Sequence, residues 1–423
     1  MTALSGAERT ATTPRPAPRL LLASQLVFNI GFYAVVPFLA LVMTQDFGMT
    51  ATAVGVVLGA RVFSQQGLFL AGGMITDRWG PRRAMLVGCL VRISGYLTLA
   101  LAGSFPLFLL GAVLTGMGGA LFSPALESLV GKAEERRRNT RGKAAGLFAL
   151  LAICGEIGAV AGPLLGALLL DVSFSWAAVA GAAVFAVMTV VLWRSVPAEA
   201  PDTVRGPPAG IRPAAPRGEG IAAMLRERRF VAFAALYSVN LLAYNQLYFG
   251  LPIELTRSGA GAGALAGLFA AASVLTIALQ LPISRLTGRI GPGHALTAGF
   301  TLKGLAFAGM ALLVQFPATG TLQLLPALLL VAGLCLGHMC VGPVAMPLVL
   351  DFALGRRSGI YYGLLASMGG CAVLLGNVVL GPLYSGATQP GPAAAWPWVV
   401  MAALTVIPAV GLSRLLPPAR PAP

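Results

Sequence analysis

The sequence predicts an all-α membrane protein in which twelve spanning helices form two pseudo-symmetric six-helix bundles. Three observations predict it: an apolar composition, apolar runs of spanning length recurring along the chain, and a repeat that maps the first half onto the second. Of 423 residues, 57% are apolar and 10% charged, a balance that would leave a water-soluble globule too little polar surface to cover itself. Lipid is therefore the solvent for most of this chain.

A spanning helix needs about 20 mostly apolar residues. Runs of that length lie near 20–44, 51–74, 84–102, 106–131, 144–170, 174–193, 230–255, 262–284, 294–315, 323–350, 361–383 and 395–413. The first, Leu20 to Met43, exceeds a signal peptide's core and is read as a span. An even number of spans puts both termini on one side.

The placement of the 29 Lys and Arg indicates which side. Odd-numbered connections carry only Arg257, and Arg61, Arg92 and Lys303 sit inside spans; all the others fall in the termini and even-numbered connections. By the positive-inside rule those segments, and both termini, are cytoplasmic. The net charge of +15 then reflects topology, and the cluster Lys132, Arg136, Arg137, Arg138, Arg141 and Lys143 is an anchor rather than a nucleic-acid patch. Trp176, Trp193, Trp396 and Trp398 at span ends fit an interfacial belt. Cys89, Cys154, Cys335, Cys340 and Cys371 lie in apolar runs without C-x-x-C spacing and read as small core residues, so no disulfide framework or metal site is expected.

Residues 196–228 are rich in Pro, Ala, Gly and Arg without apolar period, a flexible cytoplasmic linker with a short surface helix at Met224 to Arg229. The predicted organisation is a cytoplasmic tail (1–19), a six-helix bundle (20–195), the linker (196–228), a second bundle (229–413) and a cytoplasmic tail (414–423).

The halves match at a fixed offset. Moving 211 positions takes Asn29 to Asn240, Tyr33 to Tyr244, Arg78 to Arg289, Gly80 to Gly291, Pro81 to Pro292, Gly88 to Gly299 and Arg92 to Lys303. Further on, an offset of 219 takes Gly118 to Gly337, Pro124 to Pro343, Gly162 to Gly381 and Pro163 to Pro382. Matches of Arg, Pro, Asn and Tyr at one register support a duplicated six-helix unit.

Between the second and third spans, Gly73, Asp77, Arg78, Gly80, Pro81, Arg82 and Arg83 set an acid and three bases around a glycine-permitted turn. Here the chain resembles the major facilitator superfamily, whose hallmark in this loop is G-x-x-x-D-[RK]-x-G followed by bases; Pro81 stands where the family more often has a base. The physical logic is a charge latch, with Asp77 capping a helix or holding a base from a neighbouring helix while one conformation lasts. In the fifth span Gly158, Gly162, Pro163 and Gly166 form a small-x-x-x-small seam with a proline bend. The seam is similar to the G-x-x-x-G-P-x-x-G-G signature of the superfamily's drug/proton antiporters, with Ala167 in the last glycine's place and a looser echo at Gly376 to Pro382. The fourth span keeps Gly116, Gly118 and Gly119 but has Ala112 where those antiporters usually carry arginine. Arg61 to Gly67, Arg92 and Phe122 to Pro124 resemble the bacterial multidrug-resistance branch related to the H-type exporters.

Ionisable groups at mid-bilayer are costly and usually face a partner or a water-filled cavity. Arg61 and Glu156 each lie about half a span from both faces at about 1.5 Å per residue, so they are expected to meet, and alternating contact between them would load and release a proton. The competing reading is a permanent structural ion pair. Arg92 and Glu127, nearer the cytoplasmic side, form a second expected pair, with Glu127 another candidate proton carrier. Arg92 and Lys303, on spans that are peripheral in the superfamily, are expected to snorkel towards the cytoplasm. His338 titrates near neutrality in water and is a lesser candidate.

The resemblance further implies that spans one, four, seven and ten line a central cavity. On them stand Asn29, Phe32, Tyr33, Phe122, Tyr237, Asn240, Tyr244, Asn245, Gln246, Tyr248, Met339 and Met346. Amide, phenol and thioether groups on apolar walls suit amphipathic molecules of modest polarity. No base cluster stands among them, which disfavours phosphorylated or multiply acidic substrates.

The expected function is secondary active transport: proton-coupled efflux of hydrophobic or amphipathic drugs or natural products by alternating access. The alternative is a superfamily transporter of one small metabolite, such as a sugar or amino acid. The implied setting is the bacterial cytoplasmic (inner) membrane, with a monomer using protons as coupling ion and no other cofactor. No P-loop, H-E-x-x-H or nucleophile elbow occurs, so neither an enzyme nor a self-contained ATP-driven pump is expected.

Overall fold

The protein is described by a computed structural model covering residues 17–141, 147–196, 224–316, 323–353, 358–387 and 391–416. Among these residues twelve helices are long and apolar enough to cross a membrane. They are α1 (Pro18–Gln45), α2 (Ala51–Thr76), α3 (Pro81–Ala100), α4 (Phe105–Gly131), α5 (Leu150–Leu170), α6 (Phe174–Ser195), α7 (Arg228–Arg257), α8 (Ala262–Ile290), α9 (Pro292–Leu313), α10 (Leu325–Val349), α11 (Ile360–Ser385) and α12 (Pro392–Leu415).

The helices start earlier than apolar content alone indicates where turn chemistry sets the boundary. Gly80 takes φ +84° and Gly291 φ +81°, a region costly for any residue with a Cβ, and the prolines that follow occupy the first helical turn, where a missing N–H costs nothing. Beyond α4 the helix continues to Arg141. Arg257, expected in a connection, ends α7 and pairs with Glu254. Most of the expected linker lies outside the described residues, but Met224–Arg226 is helical, and Met224 is buried against the second bundle rather than lying on the surface.

Three spans depart from regular α geometry. Helix α1 is interrupted after Tyr33 by a 3₁₀ turn, Val36–Phe38, in which Pro37 supplies no backbone N–H. Helix α7 is interrupted after Asn245 and resumes at Gly250, so the repeat-related pair Tyr33 and Tyr244 sits just before matching breaks. Helix α2 widens into a π turn over Phe63–Gly67, beginning two residues after Arg61.

Duplication is visible in the packing. A Cβ placed on Gly118 would stand 2.6 Å from the Gly88 carbonyl, and one on Gly337 would stand 2.6 Å from the Gly299 carbonyl. The same glycine pair thus presses α3 onto α4 and α9 onto α10. The halves meet along α2 with α11 and α5 with α8. On the first seam a Cβ at Gly55 would lie 2.7 Å from the Asn377 carbonyl, one at Gly381 would lie 2.6 Å from the Thr52 Cα, and Ser367 Oγ donates to the Gly67 carbonyl at 3.1 Å. On the face opposite the termini, where the first span of each half ends, Gln45 donates to Thr256 at 3.4 Å.

Trp176, Trp193 and Trp396 are exposed, as an interfacial belt requires, whereas Trp398 is buried between Phe307 and Tyr384. The cysteines are free, and Cys371 is exposed rather than part of the core.

Candidate functional site

Aromatic rings from both halves close the centre. Phe32 and Tyr33 of α1 face Tyr248 of α7 and Phe269 of α8: Phe32 and Tyr248 are 6.4 Å apart, Tyr33 and Phe269 6.3 Å, and Tyr248 and Phe269 5.1 Å. The Tyr33 and Tyr248 phenols also interact across the seam. Tyr244 lies on the His338 ring at 4.6 Å. These contacts bring together Tyr33, Tyr244 and Tyr248 of the predicted cavity. Asn245 belongs to a different layer, accepting from Asn377 Nδ2 at 3.1 Å, while the adjacent Gln246 accepts from the Tyr384 hydroxyl at 3.1 Å. These bonds tie α7 to α11 inside one half. Residues Asn377 and Tyr384 carried no sequence signal beyond being polar within an apolar run.

Glu156 is half-buried on α5, and its carboxyl faces the Ser273 hydroxyl of α8, the helix across the interface. It also neighbours Tyr33 and Tyr244. The expected meeting with Arg61 does not occur: among the described residues no ion pair joins them. Equal depth is not adjacency, because α2 packs on α4 and α11 while α5 packs on α1 and α8. Helix α1 is a neighbour of both groups, with Phe32 against Arg61 and Tyr33 near Glu156.

Arg61 is 6% exposed. Its Nη2 donates to Gln65 Oε1 at 2.7 Å and its guanidinium lies 4.6 Å from the Phe32 ring. Arg92 is 1% exposed and points into the bundle, not towards the membrane surface. Its Nε donates to the Thr115 carbonyl at 3.1 Å, and its guanidinium lies 4.1 Å from Phe28, 5.2 Å from Phe185 and 5.9 Å from Phe32. A desolvated guanidinium gains about 2 kcal/mol or more from such a ring, which draws Arg92 inward. The expected pair with Glu127 is therefore absent, and Glu127 is exposed on α4. Thr115 lies one turn from Ala112, so α3 supplies a guanidinium to the stretch of α4 that lacks one of its own. Arg61 and Arg92 are near neighbours, a base cluster that the sequence hid by placing its members on different helices.

Lys303 is likewise buried rather than snorkelling, at 0% exposure. Its ammonium donates to Asn240 Oδ1 and lies 5.4 Å from the Phe300 ring. The stem of each buried base runs over the glycine its repeat supplies: a Cβ on Gly118 would meet Arg92 Cβ at 2.8 Å, and one on Gly337 would meet Lys303 Cγ at 2.6 Å.

The glycine seam of α5 lies against α1. A Cβ on Gly158 would meet Asn29 Cβ at 2.6 Å, one on Gly162 Tyr33 Cβ at 2.5 Å, and one on Gly166 the Ala34 carbonyl at 2.3 Å. Pro163 lies inside the helix. Asn29 donates to the Gly155 carbonyl at 3.0 Å. The echo in α11 packs differently, Gly376 on Leu242 and Gly381 on Thr52 of the other half.

At the loop between α2 and α3, Asp77 falls in the last turn of the helix Phe69–Trp79, and its side chain lies outside the described residues. Gly80, not Asp77, is the N-cap of the following helix, and no side chain caps it. Arg78 is exposed, a Cβ on Gly73 would meet nothing within 4 Å, and Arg82 donates to the Trp193 carbonyl at the end of α6. Arg82 thus ties two helices of one half.

Residues 21–377 match the sequence profile of the Major Facilitator Superfamily. The chain belongs to that superfamily. The transporter is 31% identical over 380 residues to an uncharacterised MFS-type transporter of Mycobacterium tuberculosis strain H37Rv, covering 89% of this chain and 87% of that one. It is 29% identical over 385 residues to the multidrug resistance protein MdtH of Escherichia coli K12, covering 90% and 89%. Among solved structures it is similar to the nucleoside transporter NupG, with TM-score 0.73 at 14% identity over 94% of this chain and 98% of that one. It is also similar to an auto-inhibited POT family peptide transporter, with TM-score 0.73 at 16% identity over 96% and 98%. The structural likeness shows that the transporter shares their fold.

Proposed function

We propose that this transporter is a proton-driven exporter of hydrophobic or amphipathic compounds that works by alternating access in the bacterial cytoplasmic membrane, with both termini inside the cell. The observation that carries the reading is Glu156: a half-buried carboxyl at membrane depth, on the interface between the halves, with a hydroxyl partner and no cation among the described residues. A carboxyl so placed gains and loses its Ser273 contact as the halves separate, and with it the environment that sets its proton occupancy. The aromatic seam supports apolar substrates, and the resemblance to MdtH supports export. One chain supplies both halves of the path, so the working unit is a monomer in lipid, with the proton as coupling ion and no other cofactor. An inward proton contributes about 2.3 kcal/mol per 100 mV.

The test is a susceptibility panel in a host lacking its own exporters, run with and without an uncoupler. Expression raises tolerance to several unrelated amphipathic compounds, and the uncoupler abolishes the gain. Transport of a single nutrient, untouched by the panel compounds, would establish the metabolite alternative instead.

A further inference from the structure

The two halves treat their repeat-related buried bases differently. In the second half the Lys303 ammonium donates to Asn240. In the first half Arg92 occupies the matching place, but Asn29, the match of Asn240, gives its amide to Gly155 instead. Arg92 Nη1, Arg92 Nη2 and Arg61 Nε are buried donors with no hydrogen-bond acceptor among the described residues.

An arginine presents its donors in a fixed planar fork, and a buried fork without acceptors is normally destabilising. Here two guanidiniums, each with one acceptor and further donors left over, lie together against one Phe32 ring, and among the described residues the Gln65 carboxamide accepts from Arg61 Nη2 alone. No carboxylate pairs with either among the described residues. Ring faces offset part of the charge's cost but accept none of the in-plane N–H bonds. Phe32 in turn is the layer between these guanidiniums and Tyr248 of the other half. Loss of that inter-half contact on rocking would open the cluster to the central path.

Resting on the export reading above, we propose that the substrates are amphipathic organic anions: a carboxylate docks on Arg61 and Arg92 while its apolar body lies on Phe32, Tyr248 and Phe269. A planar carboxylate matches the arginine fork in a bidentate manner, and rings suit an aryl or polycyclic body. The inside-negative membrane potential drives an anion outward, so export of this class adds to the proton drive rather than opposing it.

The test uses the full chain in lipid nanodiscs, following thermal unfolding by tryptophan fluorescence while titrating naphthoate, methyl naphthoate and naphthylmethylammonium. Naphthoate raises the midpoint saturably; its ester and the ammonium do not. Arg61→Gln and Arg92→Gln each weaken the half-saturating concentration about tenfold or more. Should either neutral variant fail to fold, Arg61→Lys and Arg92→Lys keep the charge but lose the fork, and weaken naphthoate in the same direction. A stabilisation by the ester equal to that by the acid, no stabilisation by naphthoate, or a response indifferent to the arginines overturns the proposal. The susceptibility panel separates this outcome from failure of export: protection confined to neutral and cationic compounds removes the anion site and leaves export standing, whereas protection against nothing removes export itself.

Discussion

Lys303 of α9 donates its ammonium to the Asn240 carboxamide of α7, the only side-chain hydrogen-bond acceptor it takes among the described residues. Removing that acceptor leaves a buried ammonium unsatisfied, so Asn240→Leu should cost about 1–3 kcal/mol of stability. Adding Lys303→Met to it should recover most of the loss, because replacing both partners with apolar groups of similar size is nearly neutral. Thermal unfolding of the single and double variants in one detergent checks the order.

Glu156→Gln removes the ionisable carboxyl while preserving the side chain's shape beside Ser273. The variant should reach the membrane at the wild-type level yet fail to concentrate substrate. A proton drive of about 2.3 kcal/mol per 100 mV corresponds to roughly fiftyfold accumulation, and sealed vesicles with an imposed pH gradient should show that ratio collapse towards unity. Coupled flux equal to wild type would take Glu156 out of the mechanism.

Gln45 and Thr256 join the halves on the face opposite the termini. In a background freed of the native cysteines, Cys at both positions should oxidise readily in the form described here and stop transport until reduced. Cross-linking that leaves turnover intact would count against movement between the halves at this face.

Gly80 and Gly291 hold φ +84° and +81° at matching turns. Alanine at either should cost about 1–3 kcal/mol through backbone strain. By contrast, Gly267→Ala faces open space on α8 and should be neutral or stabilising by up to about 1 kcal/mol through helix propensity. Unfolding midpoints of the three variants make the comparison.

The twelve spans and the duplicated halves were legible because lipid imposes length and apolarity on every crossing, and because duplication kept Gly80 with Gly291 and Gly88 with Gly299 where the backbone tolerates nothing larger. Partners across helices were not. Depth along a helix follows from counting residues, but the direction a side chain faces around its axis depends on which neighbours that helix chooses. Hence Arg61 and Glu156, at similar depth, face different neighbours, and Arg92 turned inward because Phe28, Phe32 and Phe185 gather around it. The i, i+4 spacing of Arg61 and Gln65 was the one contact of this cluster that position along the chain alone could have signalled.

The interruptions after Tyr33 and Asn245 divide α1 and α7 into a long rod and a short stub. Both stubs are packed into the core, Leu39 to Met43 on one side and Leu251 and Leu255 on the other, so each is held by its neighbours and not only by its own rod. If the halves part at this face as the export reading proposes, these two short pieces separate there, and the Gln45 to Thr256 hydrogen bond is a contact that has to break.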